Sequence, residues 1–114
     1  MAFLNGLFSR RNLPSPRDLE KFVRSIVDLC EPAVWQRIEG RTSTMSPAEA
    51  RGYIRARSAV VVNEQVGQAL RKHTNWPARL QAEVLERTTH DTVRQVHFRL
   101  LNLRHPIIER RKAA

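Results

Sequence analysis

From Ser46 to Lys72 the chain reads SPAEARGYIRARSAVVVNEQVGQALRK, a run of helical period too long for any single strand. Its start is chemically marked. Ser46 is an N-cap hydroxyl, Pro47 suits the first helical position, and Glu49 stands where a capping box places its carboxylate. Gly52, Ala56, Ala59, Val60, Val66, Gly67 and Leu70 recur at threes and fours and form one stripe. These residues are mostly small, so the stripe is expected to let a neighbouring helix approach closely. Ile54 and Val61, one heptad apart, point nearly the opposite way. A helix apolar on two sides is expected to be central in its domain, or shared between the body of the domain and a partner. Asn63 falls inside the small-residue stripe and reads as a core amide held by a partner, or as a register-fixing residue in a helix–helix contact. The three valines 60–62 favour strand in isolation, but the helical period on both sides outweighs them.

A second long helix is predicted over 77–103. The segment from His73 to Trp76 closes the first helix, and Asn75 with Pro77 opens the next. Its stripe is Ala78, Ala82, Leu85, Thr89, Val93, Val96, Leu100 and Leu103, with Leu80, Val84 and Phe98 as a second apolar edge. Two long helices joined by a short turn predict an antiparallel hairpin of 46–72 and 77–103. Ahead of it, Ser15 caps a helix with Pro16 at its first position and Asp18 at its third, and Leu19, Phe22, Val23, Ile26, Leu29 and Cys30 form its stripe. Pro32 is expected to break that helix and begin a short one over 32–39, ended by Gly40. The expected fold is all-α, a small four-helix arrangement built on the long hairpin.

The expected organisation is an apolar and basic arm over 1–14, a helical domain over 15–105, and a basic tail over 106–114. In the arm, Phe3, Leu4, Leu7 and Phe8 share one side and Arg10 and Arg11 follow. We expect it to fold back over its own domain; contact of 1–11 with a membrane surface is the alternative. The apolar part precedes the charges, which is not the layout of a signal peptide, and no apolar run reaches membrane-spanning length.

Twenty Lys and Arg face eleven Asp and Glu, a net charge of +9, so polyanions should be attracted. Seventeen of the twenty are Arg, whose planar donor fork suits phosphate and carboxylate, although an Arg-rich genome leaves the same mark. Cys30 is the one cysteine. It excludes an internal disulfide and a cysteine zinc site, suits the cytoplasm, and reads as a small buried hydrophobe. Glu86, His90 and His97 share the polar face of the last helix, but Glu-x-x-x-His occurs once and is not the Glu-x-x-His of di-iron bundles. With neither phosphate loop nor nucleophile elbow, we expect no enzyme, no metal and no cofactor.

Arg99 and His105, separated by five residues at the end of the final helix, resemble the Arg-x4–6-His motif of HEPN-type ribonucleases, which are helical bundles. The resemblance covers those two residues, and the intervening LLNLR lacks the polar residue that usually follows the arginine. It implies a ribonuclease with Arg99 as phosphate clamp and His105 as general acid–base.

The apolar edges exceed what one small core consumes, so the primary expectation is a protein–protein assembly module, acting as a homo-oligomer or on a partner with an acidic face. Phe3, Leu7, Ile54, Val61, Asn63, Gly67, Phe98, Ile107 and Ile108 are its expected interface. The alternative is a non-specific nucleic-acid binder using Arg51, Arg55, Arg57, Arg87, Arg94, Arg104, Arg110 and Arg111 on the phosphate backbone.

Overall fold

A computed structural model describes residues 13–104. They form three α-helices and one 3-10 turn, with no strand among the described residues: α1 (Pro16–Ile38), α2 (Pro47–Leu70), the 3-10 turn (Arg71–His73) and α3 (Ala78–Arg104). Each helix packs against the other two.

The helix starts follow from local chemistry. The Asp18 amide donates to Ser15 Oγ at 3.1 Å. At α2 the capping box closes both ways: the Glu49 amide donates to Ser46 Oγ at 3.2 Å and the Ser46 amide to Glu49 Oε1 at 3.4 Å. These bonds occupy amides that the first helical turn leaves without internal partners. Past the end of α1, Gly40 takes φ +76°, a left-handed conformation that glycine adopts without steric cost.

Pro32 does not break α1. A single helix runs through it, so the expected short helix over 32–39 is the last part of α1 and the arrangement has three helices, not four, among the described residues. A proline inside a helix removes one amide and orphans the carbonyl four residues earlier, here that of Asp28. Asp28 and Pro32 both face solvent, so water can take that carbonyl. Meanwhile the buried line Val23, Ile26, Val27, Cys30, Val34, Ile38 continues in phase across the proline, and its burial outweighs one lost bond.

The core also corrects the expected helix faces. In α2 the buried residues are Ala50, Ile54, Ser58, Val61, Val62 and Val66. Ile54 (0% exposed) and Val61 (3%) therefore belong to the core and are not available to a partner. The small-residue stripe is split: Val66 is buried and Ala59 and Leu70 are half-buried, whereas Gly52, Ala56, Val60 and Gly67 are exposed, as is Asn63, which needs no core partner. In α3 the buried residues are Val84, Thr88, Thr92, Val93, Val96 and Leu100, while Ala78, Ala82 and Leu103 are exposed. Val84 is core, not a spare edge, and Leu80 packs half-buried against it. Leu29, expected inside, is exposed, and Val27 takes its place.

An aromatic cluster fixes the α2–α3 connection to α1. His73 stacks on Trp76 with centroids 4.2 Å apart, and Phe22 of α1 meets both edge-on at 5.3 and 5.1 Å. The Trp76 carbonyl accepts from Gln81 Nε2 at 2.8 Å, which ties the connection to the first turn of α3. Such pairs add about 0.5–1.5 kcal/mol each beyond area burial. Among the described residues no helix is long and apolar enough to cross a membrane.

Candidate functional site

Two open grooves flank α3, and the residues Asp91 and Arg94 form the ridge between them. The first, of about 790 Å³, lies between α2 and α3. Arg51 and Arg55 line it from α2, one turn apart; Arg87 and Arg94 line it from α3, two turns apart. Four of the eight basic residues expected to contact nucleic acid thus converge on one depression. His90 and His97 stand among them, and Glu86 and Asp91 are the acidic members, so the lining carries four arginines against two carboxylates. Val93 and Thr89 contribute to it, and the Thr89 hydroxyl is already committed, donating to the Leu85 carbonyl at 2.8 Å. Arg57 is held elsewhere, its guanidinium 5.2 Å from the Tyr53 ring centroid. Arg110 and Arg111 lie outside the described residues, and Arg104 is placed only by its backbone at the end of α3.

Glu86, His90 and His97 share this groove, but among the described residues no three His, Cys, Asp or Glu side chains are grouped closely enough to hold a metal ion. An excess of fixed guanidinium groups in a concave surface raises the local concentration of anions and offers planar forks to phosphate oxygens. No Phe, Tyr or Trp lines the groove; the rings that line it are the imidazoles of His90 and His97.

The second groove, of about 970 Å³, lies between α1 and α3. Val27 and Trp35 are its buried members; Arg24 and Glu31 of α1, Glu39 at its C-cap, and Asp91, Arg94 and Arg99 of α3 give it three charges of each sign. Arg99 lies over the Trp35 ring, 4.2 Å from its centroid, and reaches Glu31 at 3.9 Å. Phe98 and Leu103 line the same groove and are 64% and 61% exposed. Sequence reasoning singled out Phe98 and missed Trp35, Glu31 and Leu103. Glu31 and Trp35 are four residues apart and Val27 four before, so one face of α1 was legible; that α3 meets it there was not.

Of the other expected interface residues, Asn63 and Gly67 are exposed on α2. Phe3, Leu7, Ile107 and Ile108 lie outside the described residues, as does His105 of the ribonuclease motif. Cys30 is buried, and burial pushes its thiol up to about 11; the Thr92 hydroxyl beside it lowers the value somewhat without a bond of good geometry. A thiol so placed is a poor nucleophile. No protein-family model matches the chain, and neither curated proteins nor solved structures provide a match.

Proposed function

We propose that the protein is a non-enzymatic helical module that binds the phosphate backbone of nucleic acid, without reading sequence, through the groove between α2 and α3. The observation that carries this reading is the convergence of Arg51 and Arg55 with Arg87 and Arg94 from the neighbouring helix. We take α2 and α3 as an antiparallel hairpin, which sets the start of α2 beside the later turns of α3 and makes four separate sequence positions one site. Net charge alone would scatter arginines over the surface; a shared concave site gives them a common ligand. A groove with four arginines and without Phe, Tyr or Trp suits a sugar–phosphate chain better than exposed bases. A reducing compartment, the cytoplasm, suits a chain whose single cysteine is buried.

Fluorescence anisotropy with labelled duplex DNA and single-stranded RNA of random sequence tests this. Four phosphate contacts give a slope of log K against log salt of about −3 to −4 on duplex DNA. Arg51→Ala and Arg55→Ala should each weaken binding equally on all sequences and reduce that slope by about one. A flat salt response, or unchanged binding by the Arg51→Glu/Arg55→Glu double variant, rules the reading out.

The assembly reading loses Ile54 and Val61 to the core. It keeps one specific support, the exposure of Phe98 and Leu103 in the other groove.

A further inference from the structure

We infer that the α1–α3 groove is where a second copy of this chain docks, each copy placing its Phe98 and Leu103 against the other's groove. A two-fold dimer requires one patch that is complementary to itself, so knob and hole must lie on the same surface. Here they do. Phe98 and Leu103 stand exposed on the α3 side, and between the helices the groove is floored by the largely covered Val27 and Trp35, with Arg99 over the indole. Along α1 its lining runs from Arg24 to Glu39, about 22 Å at the helical rise, enough to seat the last turns of another copy's α3.

Charge selects the partner. The chain carries +9 in all, yet this groove is balanced. An acidic partner gains more from the arginine-rich groove on the other side of α3, and a basic partner meets three arginines here. Within the groove Arg99 and Glu31 already pair with each other. Arg24, Arg94, Glu39 and Asp91 remain, two of each sign, and none of them forms an ion pair among the described residues. A two-fold axis through such a patch can set each basic residue against an acidic one of the other copy. Phe98, an exposed aromatic beside this rim, has the character of an interface anchor. The two surfaces share Asp91 and Arg94, but they separate at Phe98, which does not line the arginine groove, and at Arg51 and Arg55, which do not line this one.

Sedimentation velocity on the full chain, from micromolar to sub-millimolar, should show a monomer–dimer equilibrium. Phe98→Glu should raise the dimer dissociation constant by about thirtyfold, the scale of an interface hot spot, with circular dichroism unchanged because the side chain is exposed. As a second readout, Asn102→Cys in the groove should be joined into a covalent dimer by a flexible bis-maleimide that spans the groove, whereas Gly67→Cys, exposed on α2 and outside the groove, should not; buried Cys30 does not compete. A monomer throughout the range overturns the proposal. So does a dimer indifferent to Phe98→Glu, or one that cross-links through position 67 and not 102.

Discussion

The Arg99 guanidinium lies 4.2 Å from the centroid of the Trp35 ring and so bridges α3 to α1 at the rim of their shared groove. The indole is buried and the arginine partly exposed, a geometry in which cation and ring face contribute about 0.5–1 kcal/mol. The 3.9 Å approach to Glu31 is long and half in solvent, and adds little. Arg99→Ala should therefore lower unfolding stability by about 1 kcal/mol in urea titration, with Arg99→Lys recovering only part because a point charge stacks less well. The outcome also bears on the ribonuclease resemblance. A phosphate clamp must turn away from Trp35; if so, Arg99→Ala would leave stability unchanged and abolish RNA cleavage together with His105→Ala.

Cys30 makes stability depend on alkaline pH. Its ordinary value of 9.0 rises to about 11 in the folded chain because burial disfavours the thiolate. A group whose folded value is raised stabilises the fold fully below its unfolded value, and that contribution is lost as pH climbs from 9 towards 11. The loss is on the order of 2–3 kcal/mol. Chemical denaturation at pH 8 and pH 10.5 should reveal it, and Cys30→Ala should remove this part of the pH dependence. Maleimide or disulfide reagents should label Cys30 only upon unfolding.

Two glycines of α2 invite replacement. Gly52 and Gly67 are exposed, and a Cβ at either meets nothing within 4 Å. Glycine inside a helix costs about 0.5–1 kcal/mol relative to alanine, so Gly52→Ala should raise stability by that amount, with Gly67→Ala similar though nearer the helix end. Gly40 should behave oppositely. It too has open space around it, but its φ of +76° strains any residue with a Cβ, and Gly40→Ala should cost about 1 kcal/mol or more. Thermal melts of the three variants should separate space from backbone conformation.

These positions show what was legible in the sequence. The caps at Ser15 and Ser46 and the turn at Gly40 were readable, because each depends on residues within one turn. The helix faces were only partly readable. An apolar-letter stripe in α2 catches the buried Val66 but also selects the exposed Gly52, Ala56, Val60 and Gly67, while the buried line passes through Ser58. In α3 it catches the buried Val93, Val96 and Leu100 but also selects the exposed Ala78, Ala82 and Leu103, while the buried line passes through Thr88 and Thr92. Hydroxyl residues at the centre of the core shift the apparent phase by about a residue, and Ile54 and Val61 then look like a second face. Pro32 misled for a related reason: the cost of a helix proline is set by whether the orphaned carbonyl sees water, which is a tertiary fact. In the candidate groove each arginine was identified and the pairing of the two long helices was expected, but the rotation of each helix that turns Arg51, Arg55, Arg87 and Arg94 to one side was not legible, because it follows from the buried faces.

The same hydroxyls give the sharpest stability test. Ser58, Thr88 and Thr92 are each 0% exposed, and their hydroxyl oxygens have no good hydrogen bond among the described residues. Burying a hydroxyl without a partner costs about 1–3 kcal/mol, whereas an apolar group of the same shape avoids that cost. Thr88→Val keeps the branched shape and exchanges the hydroxyl for a methyl, so it should stabilise the fold by about 1 kcal/mol. Ser58→Ala removes one atom, and its gain is offset by a small cavity, leaving it close to neutral. Thr92→Val should gain less than Thr88→Val, because it also removes the contact with the Cys30 thiol and should push that thiol still higher. Urea titrations of the three variants, with thiol titration for the last, measure each term. If Thr88→Val instead destabilises by a kcal/mol or more, the hydroxyl has a partner in solution, such as a buried water bridging these helices.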